Sequence, residues 1–321
     1  MRCRPLPRFA GLLAVLAALC PASAEDNLTE LLADPRFERG FIVLRPEAGA
    51  AIEMDRLRGP VNDGEPAWRL AQWHSRFPDL GEPAPHNGGL VYENAGKTVR
   101  LHGGDDEILM LRVNGHAEYD GAPRGQGDPW AHLLVEQDIE SRPSLAELDA
   151  LHLSVRYRLL ESVLHRPEDY SEHIHAAQFL LFLLVRDGNP ESEGYGDFLW
   201  FGVPLYDNRH EYAPRRGAPD VAAEDIPGGT GRFIFTPGTR EYTDESAHGG
   251  GWVHIERDLI PLIDEGLESA WEHGFLDNSR ERGDFRIMSI NMGWEMPGLF
   301  DAAAAVSELS LRADYGGNET P

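Results

Sequence analysis

The chain has 321 residues, 54 of them acidic and 29 basic, for a net charge of −25. Such a field repels nucleic acid and other polyanions, which excludes them as default partners and favours neutral glycans, cationic surfaces or calcium. Both cysteines, Cys3 and Cys20, fall within the first 24 residues, so the remainder has no thiolate catalysis, no thiolate-rich zinc site and no disulfide frame.

Those first residues have the order of an export signal. Arg2, Arg4 and Arg8 precede an apolar run from Phe9 to Cys20, and Ala22-Ser23-Ala24 is a small-residue cleavage site. The run is too short to span a bilayer, and no other stretch resembles a transmembrane helix. Residues 1–24 are therefore expected to be a signal peptide. Residues 25–321 are expected to be a single secreted or periplasmic β-sandwich domain with an irregular N-terminal segment. Loss of three arginines with the leader deepens the acidic excess, and Lys97 is the only lysine.

The segment after the leader opens with a short helix expected at Leu28–Leu32 and a strand at 41–44. Residues 59–90 are rich in Gly, Pro and Asp, interrupted by PAWRLAQWHSRF. Its Trp68 and Trp73 either stack on sugar rings or pin a loop to the core. Strand patterns then recur at 90–92, 98–101, 107–113, 132–139, 152–160, 176–185, 198–205, 232–235, 251–255, 285–292 and 305–312. In the fifth of these, Leu153, Val155, Tyr157 and Leu159 alternate with Ser154, Arg156 and Arg158, which buries one face and leaves the other polar. One helix interrupts the series near 258–273. There Leu259, Leu262, Ile263, Leu267, Ala270 and Trp271 recur at helical spacing, and Gly274 supplies the stop. Dominant strands with an incidental helix predict an all-β fold, a jelly-roll or concanavalin-like sandwich.

Several site classes are missing from the sequence. No phosphate loop, dinucleotide fingerprint, G-x-S-x-G elbow, H-E-x-x-H or complete EF-hand loop is present, so no nucleotide, flavin or haem is expected. The stretch from His173 to His210 is the densest in polar exceptions to apolar strands. His173 and His175 share a face if extended, a spacing for two metal ligands or a catalytic base. Gln178, Trp200, Tyr206, Arg209 and His210 are candidate substrate-binding residues there. A later cluster of Asn291, Trp294 and Glu295 has the same mixed character, and Trp294 is its candidate binding residue. In an elimination chemistry a histidine would be the base and Tyr195 or Tyr206 the acid, with Arg156, Arg158 or Arg209 neutralising a uronate.

A second constellation is Glu136-Gln137-Asp138-Ile139-Glu140. On an extended strand its three carboxylates project to one face, about 6.5–7 Å apart, and paired carboxylates perform glycoside hydrolysis. The E-x-D-x-E order resembles the active-site strand of the laminarinase and agarase group of retaining β-glycanases. The resemblance implies a secreted jelly roll, often with calcium, in which Glu136 is the nucleophile, Asp138 the assisting carboxylate and Glu140 the acid/base. The expected function is thus a secreted polysaccharide-acting protein, a glycoside hydrolase on a neutral glycan. A non-catalytic carbohydrate-binding or envelope protein, and a polysaccharide lyase, stay open as alternatives.

Overall fold

The computed structural model describes residues 28–316 apart from 50, 62–63, 105, 222–224 and 226–228. The expected leader, with its cleavage site and both cysteines, lies outside them.

Five strands end before residue 90, where the sequence pattern becomes plainly β. Strand β1 (Leu28–Glu30) occupies the place of the expected helix. It pairs antiparallel with the last strand, and the Glu30 carboxylate accepts hydrogen bonds from the backbone of Leu32 and Leu311 and from the Ser310 hydroxyl. Ser310 and Leu311 lie 280 and 281 residues away, so tertiary pairing decides the conformation over local propensity. Next come β2 (Gly40–Leu44), β3 (Glu53–Arg58) and β4 (Trp68–Ala71). The segment expected to be irregular therefore builds one end of the second sheet, with β4 and β2 paired on both sides and β3 at the edge.

The chain continues through β5 (Ala84–His86), β6 (Gly89–Glu93), β7 (Lys97–Gly104) and β8 (Glu107–Asn114) to a single helical turn, α1 (Gly115–Glu118). After it run β9 (Ala131–Asp138), β10 (Ala150–Leu164), β11 (Gln178–Asp187), β12 (Phe198–Asp207), β13 (Arg216–Pro219), β14 (Phe233–Thr236) and β15 (Val253–Asp258). Helix α2 (Ile260–Glu272) then precedes β16 (Phe285–Met296) and β17 (Phe300–Asp314).

Among the described residues these strands form two sheets, as expected of a jelly-roll sandwich. The first has eight strands in the order β15-β10-β17-β8-β7-β6-β5, with β1 beside β17. The second has nine, β13-β14-β12-β11-β16-β9-β4-β2-β3. Period-2 alternation places Phe179, Leu181, Leu183 and Val185 of β11 against Leu151, Leu153 and Val155 of β10 in one continuous core. Burying each such side chain stabilises the fold by about 1.5–3 kcal/mol.

Helix α2 lies where the periodicity expected it. Leu262, Ile263, Leu267 and Ala270 face inward, and Gly266 sits against Phe235 and Leu199, where a Cβ would come within 2.9 Å of the Phe235 ring. The helix covers the inner side of β12 and β14 and leaves their outer side free.

Candidate functional site

The outer face of the nine-stranded sheet carries a cleft of about 560 Å³. Register fixes its floor. His132 on β9 is the Cα partner of Glu295 on β16, Glu295 of Gln178 on β11, and Gln178 of Asp207 on β12. All four line the cleft, so one row of polar side chains crosses four adjacent strands, with neighbours about 5 Å apart. Trp73, Trp130, Phe182 and Trp200 supply aromatic surface around the row.

Each member of the row has a distinct electrostatic state. Burial pushes the Glu295 carboxyl up to about 7; the indole N–H of Trp130 opposes that rise and the nearby carboxylate of Asp220 reinforces it. This indole N–H closes no hydrogen bond of good geometry. It is near enough to act on Glu295.

His132 is driven the other way. Burial lowers its pKa to about 3, and His74 adds to the effect. Its Nδ1–H donates to the Trp130 carbonyl at 2.9 Å, so the neutral ring carries its lone pair on Nε2. The ring stacks on Trp130 at 5.6 Å and meets the edge of Trp73 at 5.4 Å.

Asp207 is 5% exposed. Burial alone would raise its pKa, but hydrogen bonds from the Arg209 guanidinium at 2.6 and 2.8 Å outweigh it and hold the carboxyl below the usual range. The same carboxylate accepts from Gln178 Nε2 at 2.9 Å.

On the wall made by β13 and the following residues, Asp220 accepts from the backbone and hydroxyl of Thr230, and Thr230 in turn accepts from the Trp200 indole at 3.3 Å.

The structure gathers part of the sequence-derived set here. Gln178, Trp200, Arg209 and His210 line the cleft together. Tyr206 does not: it is 7% exposed on the opposite face of β12, its hydroxyl bonded to Ser162 and its ring against Trp294. Trp294 is fully buried in the core, with its indole N–H on the Leu111 carbonyl. Both are structural because the face they occupy points between the sheets.

The histidine pair is also separated. His173 is exposed in a turn before β11, whereas His175 is buried, accepting at Nδ1 from the Ser171 N–H and donating from Nε2 to the Arg124 carbonyl. With both nitrogens occupied, His175 has no lone pair for a metal or a proton.

The E-x-D-x-E triplet is not brought together either. Strand β9 ends at Asp138, so Glu140 leaves the shared face and borders a separate shallow depression. Arg69 on β4 binds Glu136 at 2.7 Å and Asp138 at 2.7 Å, and the hydrogen bond to Asp138 lowers that carboxyl's pKa. The arrangement is an ion-pair clamp between β4 and β9. Arg156 and Arg158 lie over Trp252 on the first sheet, away from the cleft. Among the described residues, no group of three or more His, Cys, Asp or Glu side chains is placed to hold a metal ion.

Sequence reading missed Glu295 as the central group and omitted His132, Trp130 and Asp220. The signal for Glu295 was the alternation Met292-Gly293-Trp294-Glu295-Met296, which requires the strand to continue through the glycine.

No protein-family model and no curated protein sequence matches the chain. In three dimensions it is similar to an endoglucanase from Rhodothermus marinus, with 13% identity and a TM-score of 0.37 over 75% of this chain and 97% of that one. It is similar as well to a family 12 xyloglucanase from Bacillus licheniformis, at 9% identity and a TM-score of 0.40 over 75% and 98% of the two chains. A family 11 xylanase from Neocallimastix patriciarum gives 9% identity and a TM-score of 0.35 over 72% and 94%. At these values the likeness carries no residue roles.

Proposed function

We propose that this protein hydrolyses a glycosidic bond in a neutral glycan held in the aromatic cleft, with Glu295 as the proton donor. The observation that carries the proposal is a carboxyl pushed up to about 7 at the centre of a cleft lined by indole faces. Indoles stack on the CH-rich faces of sugar rings, and a general acid works best when its pKa lies near the working pH. Hydrolysis by two carboxyl groups needs a second one across the bond. Asp220, on the facing wall and close enough to perturb Glu295, takes that part.

Export belongs to the same proposal. Intact mass of protein secreted from a native-like host should give an N-terminus at Glu25, and a lipid on Cys20 would overturn that part.

The test of the function is a panel of neutral glycans assayed for new reducing ends, for unsaturated ends and for retention. Glu295→Gln should lower turnover at least about 100-fold, the contribution of a positioned acid, while retention persists. Glu136→Gln, in the Arg69 clamp, should stay within a few-fold of the parent. Unimpaired turnover in Glu295→Gln would overturn the assignment. Retention without any cleavage would instead establish a binding protein, and unsaturated ends a lyase.

A further inference from the structure

Arg124 lies in the loop between α1 and β9 and is 8% exposed. Its guanidinium is held by carbonyls: Nε donates to Asp128 at 2.7 Å and a terminal nitrogen to Ile174 at 3.1 Å, in the turn before β11. The carboxylate of Asp128 is turned to the Gly125 N–H instead. The Arg124 backbone is fixed too, its carbonyl accepting from His175 Nε2 at 2.8 Å. Burying a charge without a bonded counterion costs stability, so an apolar side chain would fill this place at less cost. What an apolar side chain could not supply is a flat cation with donors in two directions. That cation sits over the Trp130 ring, 5.1 Å from its centroid. His132 holds the same residue a second time, stacking on the indole and taking the Trp130 carbonyl with its Nδ1–H.

We propose that Arg124 is a positioning residue: its guanidinium, fixed to the Asp128 and Ile174 carbonyls, clamps the Trp130 ring and so keeps the indole N–H on the Glu295 carboxyl. The indole nitrogen is buried and closes no other hydrogen bond, and Glu295 is the group on which it acts. A donor beside a carboxyl favours the charged form, so the clamp opposes the effect of burial and lets the acid give up its proton near neutral pH. The device rests on the reading of Glu295 as the acid of the hydrolysis, and it specifies how that acid is tuned. The other charged or titratable groups around it are Asp128 and Tyr119 beside Arg124, His132 with His74, and Asp220 on the cleft wall.

The test follows the Glu295 carboxyl directly, by carbon-13 NMR titration of glutamate-labelled full-length protein, with Glu295→Gln used to assign the resonance. Trp130→Phe removes the indole donor and should raise the Glu295 midpoint by about one pH unit, the worth of one hydrogen bond to a charged group. Arg124→Met keeps the bulk of the side chain and frees the indole, and should raise the midpoint in the same direction. In the Trp130→Phe background Arg124→Met should add nothing, because residues that act through one contact are not additive. The alkaline limb of any turnover profile should follow these shifts. An equal added shift in that background would mean that Arg124 acts on Glu295 by its charge alone, and would overturn the proposal. A midpoint that stays or falls in either single variant would do the same. If Arg124→Met does not fold, Arg124→Gln goes through the same cycle, and a second failure to fold would assign Arg124 to stability and overturn its positioning role. Because the readout is a titration, it stands whether or not Glu295→Gln abolishes turnover; loss of the function reading and loss of the positioning device are separate results.

Discussion

At the scale of single residues, Glu295 and His132 make opposite demands on stability. The folded carboxyl titrates near 7, above the ordinary 4.5. Between those values the folded protein holds a proton that the unfolded chain has released, so stability falls as pH rises through this window and levels off above it. Glu295→Gln should therefore leave the protein unchanged near pH 4 and stabilise it by about 2 kcal/mol at pH 8, after allowance for solvent screening. The neutral His132, lowered to about 3 from 6.5, works in reverse: the unfolded chain takes up a proton that the folded one refuses, and stability falls as pH drops below 6.5. His132→Gln should flatten that acid limb. Urea melts across pH 4–8 check both, and a Glu295→Gln variant equally stable with its parent at pH 8 would contradict the raised carboxyl. A group that costs stability at working pH is one that packing alone does not explain.

Elements set those residues side by side, and one glycine is decisive. Gly293 of β16 has φ +156, and a Cβ there would lie 2.1 Å from the Leu133 carbonyl of β9. Its absence lets the two strands approach two residues before Glu295 meets His132. Gly293→Ala should cost about 3 kcal/mol, as overpacking against backbone does, and should lower turnover by displacing Glu295. A melting temperature equal to the parent's would show that the strands can part without loss. The same glycine explains what the sequence concealed. Read as a breaker, it ends the strand at Met292 and leaves Trp294 and Glu295 in a loop of undefined direction. Continued through it, alternation sends Trp294 inward and Glu295 to the cleft. Long strands such as β10 and β11 were legible because alternation or an unbroken apolar run marks them. Strands β3 and β13 were not, since β3 buries only Leu57 and β13 buries nothing, and an edge strand needs only one paired neighbour. The E-x-D-x-E pattern was real as a spacing. What it could not show was Arg69, brought from 67 residues away by the pairing of β4 with β9.

For the whole molecule the question is how a net charge of −25 is tolerated. Many arginines are spent in direct pairs, among them Arg69 with Glu136, Arg100 with Glu107, Arg209 with Asp207 and Arg232 with Asp197. The carboxylates of Asp197 and Asp207 are thus met by guanidinium groups. The excess carboxylates repel one another over longer distances, and the two kinds of interaction respond differently to salt. Screening reaches about 10 Å at 0.1 M and shortens to 3 Å at 1 M, so it removes the diffuse repulsion while pairs in hydrogen-bond contact keep most of their attraction. Melting temperature should therefore rise by about 3–5 °C between 0.05 and 0.5 M sodium chloride. A fall would mean that the arginine pairs, rather than the excess charge, dominate the balance. Calcium binding is proposed from the same acidic excess and is tested in the same titration: at matched ionic strength calcium should raise the melting temperature beyond sodium, and a chelator should reverse the increment, because only a site that prefers the folded state adds to screening. Coincident sodium and calcium curves would remove the calcium proposal and leave the screening argument intact.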